Sequence, residues 1–333
     1  MKIQPAITDL YYQIPAGGIV AGETKAYIDT MRSLSRINRR LYEQGRMVAY
    51  QGLTFIWRSA AQIAGPPAQT LSTVEVTVKT AGNTWVVHNA HVKGKALWKE
   101  MQSLVLDDNP SIEGTWNDFK VRLDYLQTPG RILDVKDGLG IDIQQGEWDY
   151  SQFVMPQHNV DAATGQPLAA DQFDVTLIGQ DVTIPGPPVT GTRSLVKAYE
   201  LSRATVQPQD PNVPAGMSDS FFNLLTDSGS QEPELADVIE GEGDQPPYHD
   251  TNYVGGDING VNPIIVGYSA VSSAEVDGRI PGFIAPCGLV QIEVKGYDQN
   301  GDAFPAESMP AIDILLHVAP GPYKGVAAIP MGQ

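Results

Sequence analysis

The residues whose type and spacing suggest chemistry first are five arginines close to the N-terminus: Arg32, Arg36, Arg39, Arg40 and Arg46. A guanidinium is a planar fork of donors that grips phosphate oxygens in pairs. The cluster could therefore touch nucleic-acid phosphate or an anionic membrane surface. The plainer reading is a solvated helix face, or ion pairs to an acidic neighbour.

A second candidate is acidic. Glu240, Glu242, Asp244 and Asp250, with Asp257 beyond, offer clustered oxygen ligands on a glycine-rich stretch, as a hard cation such as Ca²⁺ requires. The twelve-residue EF-hand register is absent, and a solvated loop that repels its own kind is the alternative.

The remaining signatures of chemistry are weak. His88, His91, His158, His249 and His317 are scattered, and no His-Glu-x-x-His pair occurs. His88 and His91 could share a metal, but a strand-to-helix junction with capping duties is the expected reading. Ser194-Leu-Val-Lys197 matches a short acyl-enzyme pattern but sits in an expected strand without partner motifs. Gly138-Leu-Gly140 reads as a turn. Trp57, Trp85, Trp98, Trp116 and Trp148 could stack on sugars; core packing is the alternative.

The elements that must position these residues are mostly strands. The 25 prolines and 33 glycines are spread along all 333 residues and punctuate short apolar runs, the mark of an all-β sandwich or barrel with long loops. Strict alternation places Val74, Val76 and Val78 inward on one strand, Val290, Ile292 and Val294 on another, and Ile312, Ile314, Leu316 and Val318 on a third. Further strands are expected over Met47–Trp57, Thr84–His88 as half of a hairpin, Phe119–Tyr125, Phe173–Ile178, Leu195–Val206 and Ile264–Val271. Tyr27, Met31, Leu34, Asn38 and Leu41 recur at spacings of four and three, which predicts a helix over 23–44 with Gly45 as its C-cap. A second helix is expected from Asn89 to about Leu104. Between 207 and 262 the chain holds eleven Asp or Glu and no Lys or Arg, with short helices expected near Phe221–Leu225 and Glu234–Ile239.

Charge and cysteine use narrow the class. A net charge of −17 speaks against a general nucleic-acid binder. Cys287 is the single cysteine, so no intrachain disulfide can form. The first residues show no continuous apolar core of a signal peptide, and use in a cytoplasm is expected.

Certain stretches, in order, carry a resemblance: Ser35-Arg-Ile-Asn-Arg-Arg-Leu-Tyr-Glu-Gln-Gly-Arg46, Asn83-Thr-Trp-Val-Val-His-Asn-Ala-His-Val-Lys-Gly94, Trp116-Asn-Asp-Phe-Lys-Val121, Ser202-Arg-Ala-Thr-Val206, Gly243-Asp-Gln-Pro-Pro-Tyr248 and Gly255-Gly256. The chain resembles jelly-roll coat proteins of small circular single-stranded DNA viruses and phages from environmental samples. The resemblance implies an icosahedral shell of many copies, a packaged DNA genome and a place in the virion, assembled in the host cytoplasm or nucleus. Other virion proteins or an internal membrane are further partners it allows, and the acidic loop could hold Ca²⁺ at subunit contacts. Residues 1–46 hold seven Lys or Arg against four Asp or Glu, a weak arm for neutralising a genome. Packaged DNA is therefore expected to be held only weakly, through the N-terminal helix.

The expected organisation is an N-terminal arm and basic helix (1–46), a first barrel (47–190) and a second barrel (191–333) with an acidic insertion (207–262). One barrel with large insertions is the alternative. No enzyme is expected. The rival function is a carbohydrate-binding β-sandwich, monomeric with an exposed aromatic platform. A glycosidase would need a pair of carboxylates that no spacing selects.

Overall fold

The computed structural model describes residues 5–57, 62–63, 69–108, 110, 118–143, 146–155, 166, 169–186, 188–202, 253–256, 262–272, 275 and 277–332. Among the described residues the fold is mostly β, with three α-helices and sheets that are antiparallel apart from one parallel pair. Eight strands form its centre: β1 (Asp9–Ile14), β2 (Lys25–Asp29), β3 (Arg46–Trp57) and β4 (Gln69–Thr80) from the first part of the chain. After an insert come four more. The insert contains α2 (Trp85–Asp108), β5 (Gln152–Met155), β6 (Asp171–Thr176), β7 (Val182–Ile184), β8 (Thr190–Ser194) and α3 (Leu195–Ser202). The closing strands are β9 (Ile264–Ser272), β10 (Asp277–Pro281), β11 (Leu289–Asp298) and β12 (Ile312–Val318). Helix α1 (Thr30–Asn38) follows β2 directly.

The pairing is nested. β1 pairs with β12, β2 with β11, β3 with β10 and β4 with β9, all antiparallel. The eight strands thus form one long ribbon folded back on itself. The ribbon then rolls, because β12 also pairs with β3 and β11 with β4. Two six-stranded sheets result; their long strands run in the orders β1-β12-β3-β10 and β2-β11-β4-β9, and short strands complete them, Ile284–Ala285 and Ala328–Pro330 on β3, Gln62–Ile63 on β4 and Ala303–Phe304 on β11.

Alternation makes each sheet one-sided. Leu10, Tyr12, Val74, Val76, Val78, Val290, Ile292, Ile312, Ile314 and Leu316 meet between the sheets, all nearly or wholly inaccessible to water. Each such aliphatic side chain contributes about 1.5–3 kcal/mol by leaving water. The inward sets expected on β4, β11 and β12 are the ones observed. In β3 the phase changes partway: Val48 and Tyr50 point inward, then Leu53, Phe55 and Trp57. The change falls at Gly52, where the register with β12 shifts between His317 and Val318. Gly52 has φ +150°, and a Cβ there would lie 2.6 Å from the Ile280 carbonyl oxygen, so the bulge requires glycine.

The insert has its own apolar cluster. Val87, Ala90 and Leu97 of α2, Val196 and Tyr199 of α3, Val175 of β6, and Phe119, Val121 and Leu123 pack together with Tyr27 and Leu289 from the second sheet. The four insert strands form a sheet in the order β5-β6-β8-β7, with β6 and β8 parallel.

Several expectations are corrected. The division into barrels at 47–190 and 191–333 does not follow the sheets, because β3 and β4 take their partners from β9 to β12. The helix expected over 23–44 is shorter. Lys25–Asp29 is recruited as a strand by β11, and α1 runs only from Thr30 to Asn38, with Arg39 rather than Gly45 as its left-handed cap. Thr84–His88 is not a strand: the Thr84 hydroxyl accepts from the Val87 amide and starts α2. Leu195–Ser202 is helical, so Ser194 and Lys197 stand at a helix start, where Ser194 Oγ accepts the Lys197 amide at 3.4 Å. Phe119, Val121 and Leu123 are buried as expected while Tyr125 is half-buried, but among the described residues the segment makes a single bridge, Arg122 to Thr176, and Lys120 and Asp124 are buried too. The helices expected near 221–225 and 234–239 lie outside the described residues.

Candidate assembly surface and the polar web behind it

The five arginines do not converge. Arg32 and Arg36, one turn apart on α1, both point at Asp134: Arg32 Nη2 lies 2.9 Å from Asp134 Oδ1, and Arg36 Nη1 bonds the same oxygen. Arg36 is buried and Arg32 nearly so. Arg46 pairs with Glu43 at 3.2 Å and lies 3.6 Å above the Tyr323 ring. These three are structural groups held within the chain. Arg39 and Arg40 are exposed, with Arg40 donating to the Pro5 carbonyl at 3.2 Å. Beside them are exposed Leu41 and Ile7, and Lys324 donates to the Leu41 carbonyl. This end of the sandwich is therefore cationic and partly apolar.

The spacing of Arg32 and Arg36 marks a helix face, but nothing near them in sequence announces Asp134, which is 98 positions from Arg36. The same holds for Asp29, the N-cap of α1. Its Oδ1 accepts the Arg32 amide at 3.0 Å. Its Oδ2 accepts from Gln44 Nε2 at 3.0 Å, Trp148 Nε1 at 3.1 Å and Tyr150 OH at 3.1 Å. Burial pushes this carboxyl up from the usual range, and the donors pull the other way. An Asp before an amphipathic run signals a cap, but only the fold brings Trp148 and Tyr150 to it. A third carboxylate, Asp124, takes Tyr27 OH at 3.0 Å and Gln291 Nε2 at 3.1 Å. Asp29, Asp124 and Asp134 together fasten segment 118–150 to the sandwich.

Glu240, Glu242, Asp244 and Asp250, the expected Ca²⁺ ligands, lie outside the described residues. Among the described residues no three His, Cys, Asp or Glu side chains come together as a metal would need. His88 caps the far end of the chain, accepting the Gly332 amide at 3.1 Å. His91 is buried against Phe119, and its ring nitrogens have no hydrogen-bond partner among the described residues. Of the tryptophans, Trp57 and Trp98 are buried, Trp85 packs edge-on against Tyr253 at 5.7 Å, and Trp148 serves Asp29. None of these four stands on the surface as a platform, and Trp116 lies outside the described residues.

Exposed apolar side chains mark the surface. The turn over Gly138–Gly140, expected from its glycines, is held by Asp137 Oδ1, which accepts the amides of Leu139 and Ile141 at 2.8 and 2.9 Å. It lifts Leu139 into solvent at 84% exposure, with Ile141 beside it. On β9, Ile265 and Tyr268 are 60% and 56% exposed. No helix among the described residues is long and apolar enough to cross a membrane. Searches of protein-family models, curated proteins and solved structures return no match to this chain.

Proposed function

We propose that this chain is the coat protein of a small icosahedral virus, a single elaborated jelly roll that assembles with copies of itself. The observation that carries the reading is the nested pairing β1/β12, β2/β11, β3/β10, β4/β9, rolled so that four of these strands fall in each of two sheets. An eight-strand ribbon rolled in this way makes a jelly roll, an architecture used by shell proteins and also by lectins. Fold alone does not choose between them.

Two features favour the shell. The rival carbohydrate-binding module needs an aromatic platform, and four of the five tryptophans are committed to packing or to Asp29. Apolar side chains instead stand out at separate places, Leu139 with Ile141 on a turn and Ile265 with Tyr268 on β9, as contacts with several neighbours would require. Association is then driven by apolar burial and opposed by the net charge of −17.

In this reading single-stranded DNA is touched weakly, through Arg39 and Arg40 only, and other virion proteins or an internal membrane remain as further partners. The loop with Glu240, Glu242, Asp244 and Asp250 would offer Ca²⁺ a place at subunit contacts. Negative-stain microscopy of the purified protein tests the reading. Closed shells of uniform diameter support it, and dispersed single molecules overturn it.

A further inference from the structure

The two flanks of the sandwich are finished differently. On one, segment 131–143 seals both outer strands: the Leu133 amide donates to the Tyr27 carbonyl of β2, and the Lys136 amide to the Tyr11 carbonyl of β1, each at 2.8 Å. On the other flank β9 pairs with β4 alone, and among the described residues no strand pairs with its outer edge; the Glu275 amide turns back onto the Ser272 carbonyl at its end, at 3.0 Å. Edge strands are usually blunted by charge, proline or a bulge. The nine residues of β9, Ile-Ile-Val-Gly-Tyr-Ser-Ala-Val-Ser, contain no charge and no proline, and only the register shift between Ile265 and Gly267 interrupts them.

The edge is also held in place. At Gly267 a Cβ would sit 2.2 Å from Ile280 Cγ2, so glycine lets β9 press against β10, and Val271 is buried in the core. The strand therefore offers its amides and carbonyls from a fixed position, with Ile265, Tyr268 and Ala270 exposed on its outer face.

We infer that β9 pairs with the β9 of a second copy, antiparallel and centred on Tyr268, so that the two copies' sheets become one continuous sheet across a two-fold axis. The inference rests on the self-assembly reading and names one of its contacts. Charge selects the occupant. Copies that each carry −17 can meet closely only where charge is absent or compensated, and β9 has none. On the neighbouring strands Lys79 and Lys295 are both paired with Glu293, the latter at 3.4 Å, and Glu75, opposite Ala270, bonds the Tyr297 hydroxyl. An acidic peptide would find no free cation on these strands. An antiparallel strand edge is its own complement, since a two-fold axis brings each donor to the matching acceptor. A strand of this length makes a contact about 30 Å long, narrow beside the ~800 Å² per partner of a lasting dimer. It suits a weak contact repeated around a closed shell.

The test is a Tyr268→Cys variant with the buried Cys287 changed to Ala, assembled and then oxidised. A disulfide-linked dimer on a non-reducing gel is expected, whereas Ser272→Cys in the same background, far from the axis, stays monomeric on the gel. Particles in which position 268 does not link, or 272 links as readily, overturn the inference while the coat reading stands. If the unaltered protein forms no particles, the coat reading itself fails, and the pairing with it. Hydrogen exchange on unaltered protein is a second arm independent of any substitution. Amides of β9 should be protected in particles and exchange in dissociated subunits; equal exchange in both states overturns the pairing.

Discussion

Asp134 Oδ1 stands 2.9 Å from Arg32 Nη2 while also accepting from Arg36, so one carboxylate pairs with two cations of α1 that look, in sequence, like a phosphate site. Removing it leaves both guanidinium groups poorly solvated and unpaired. Asp134→Ala is expected to lower unfolding free energy by about 2–4 kcal/mol, measured by urea denaturation. A loss below 0.5 kcal/mol, the usual range for surface changes, would show that the pair is ornamental.

The two arginine pairs should separate by phenotype. Arg39→Gln with Arg40→Gln removes exposed cations and is expected to lower the nucleic acid per particle, read as the absorbance ratio at 260 and 280 nm, with the melting temperature unchanged. Arg32→Gln with Arg36→Gln should instead lower the melting temperature. Identical effects of the two double variants would refute the division into contact and structural arginines.

Asp29 is surrounded by donors. In Asp29→Asn an NH₂ group must replace one acceptor oxygen among the Arg32 amide, Gln44, Trp148 and Tyr150, leaving donor facing donor. Loss of about 2–4 kcal/mol is expected from unsatisfied buried groups. Trp148 fluorescence should move with the denaturation midpoint, and a variant as stable as the parent would contradict the web.

His91 supplies a dependence on pH. Burial, with smaller effects from Lys95 and His88, pushes its ring down from 6.5 to about 3. The folded chain therefore refuses a proton that the unfolded chain accepts. Its stabilising effect is intact above pH 6.5 and is lost as pH falls from there toward about 3, at about 1.4 kcal/mol per unit. His91→Phe should flatten the stability profile between pH 6.5 and 4. An unchanged slope in that variant would assign the acid sensitivity to other groups.

How much was legible follows from the range of each signal. Val74, Val76 and Val78, or Ile312 to Val318, announce their burial through neighbours two apart, and the sheets honour it. Lys25–Asp29 satisfies two periods at once, because Tyr27 begins a helical stripe and also alternates with Ala26 and Ile28. Pairing with β11 decides for the strand. Trp85-Val-Val reads as β by side-chain type, yet a threonine hydroxyl one residue earlier opens a helix. Asp134 at Arg36, and Trp148 and Tyr150 at Asp29, were hidden, since they arrive from 98 and more than 100 residues away. The nested ribbon was hidden for the same reason: its outermost pair joins Asp9 to His317.

The most direct test of self-assembly is the mass of the purified protein in solution, by light scattering after size exclusion, at low and at moderate salt. Megadalton particles are expected, formed more completely at moderate salt as repulsion between copies is screened. A single 35.9 kDa species at every concentration and salt would contradict the account.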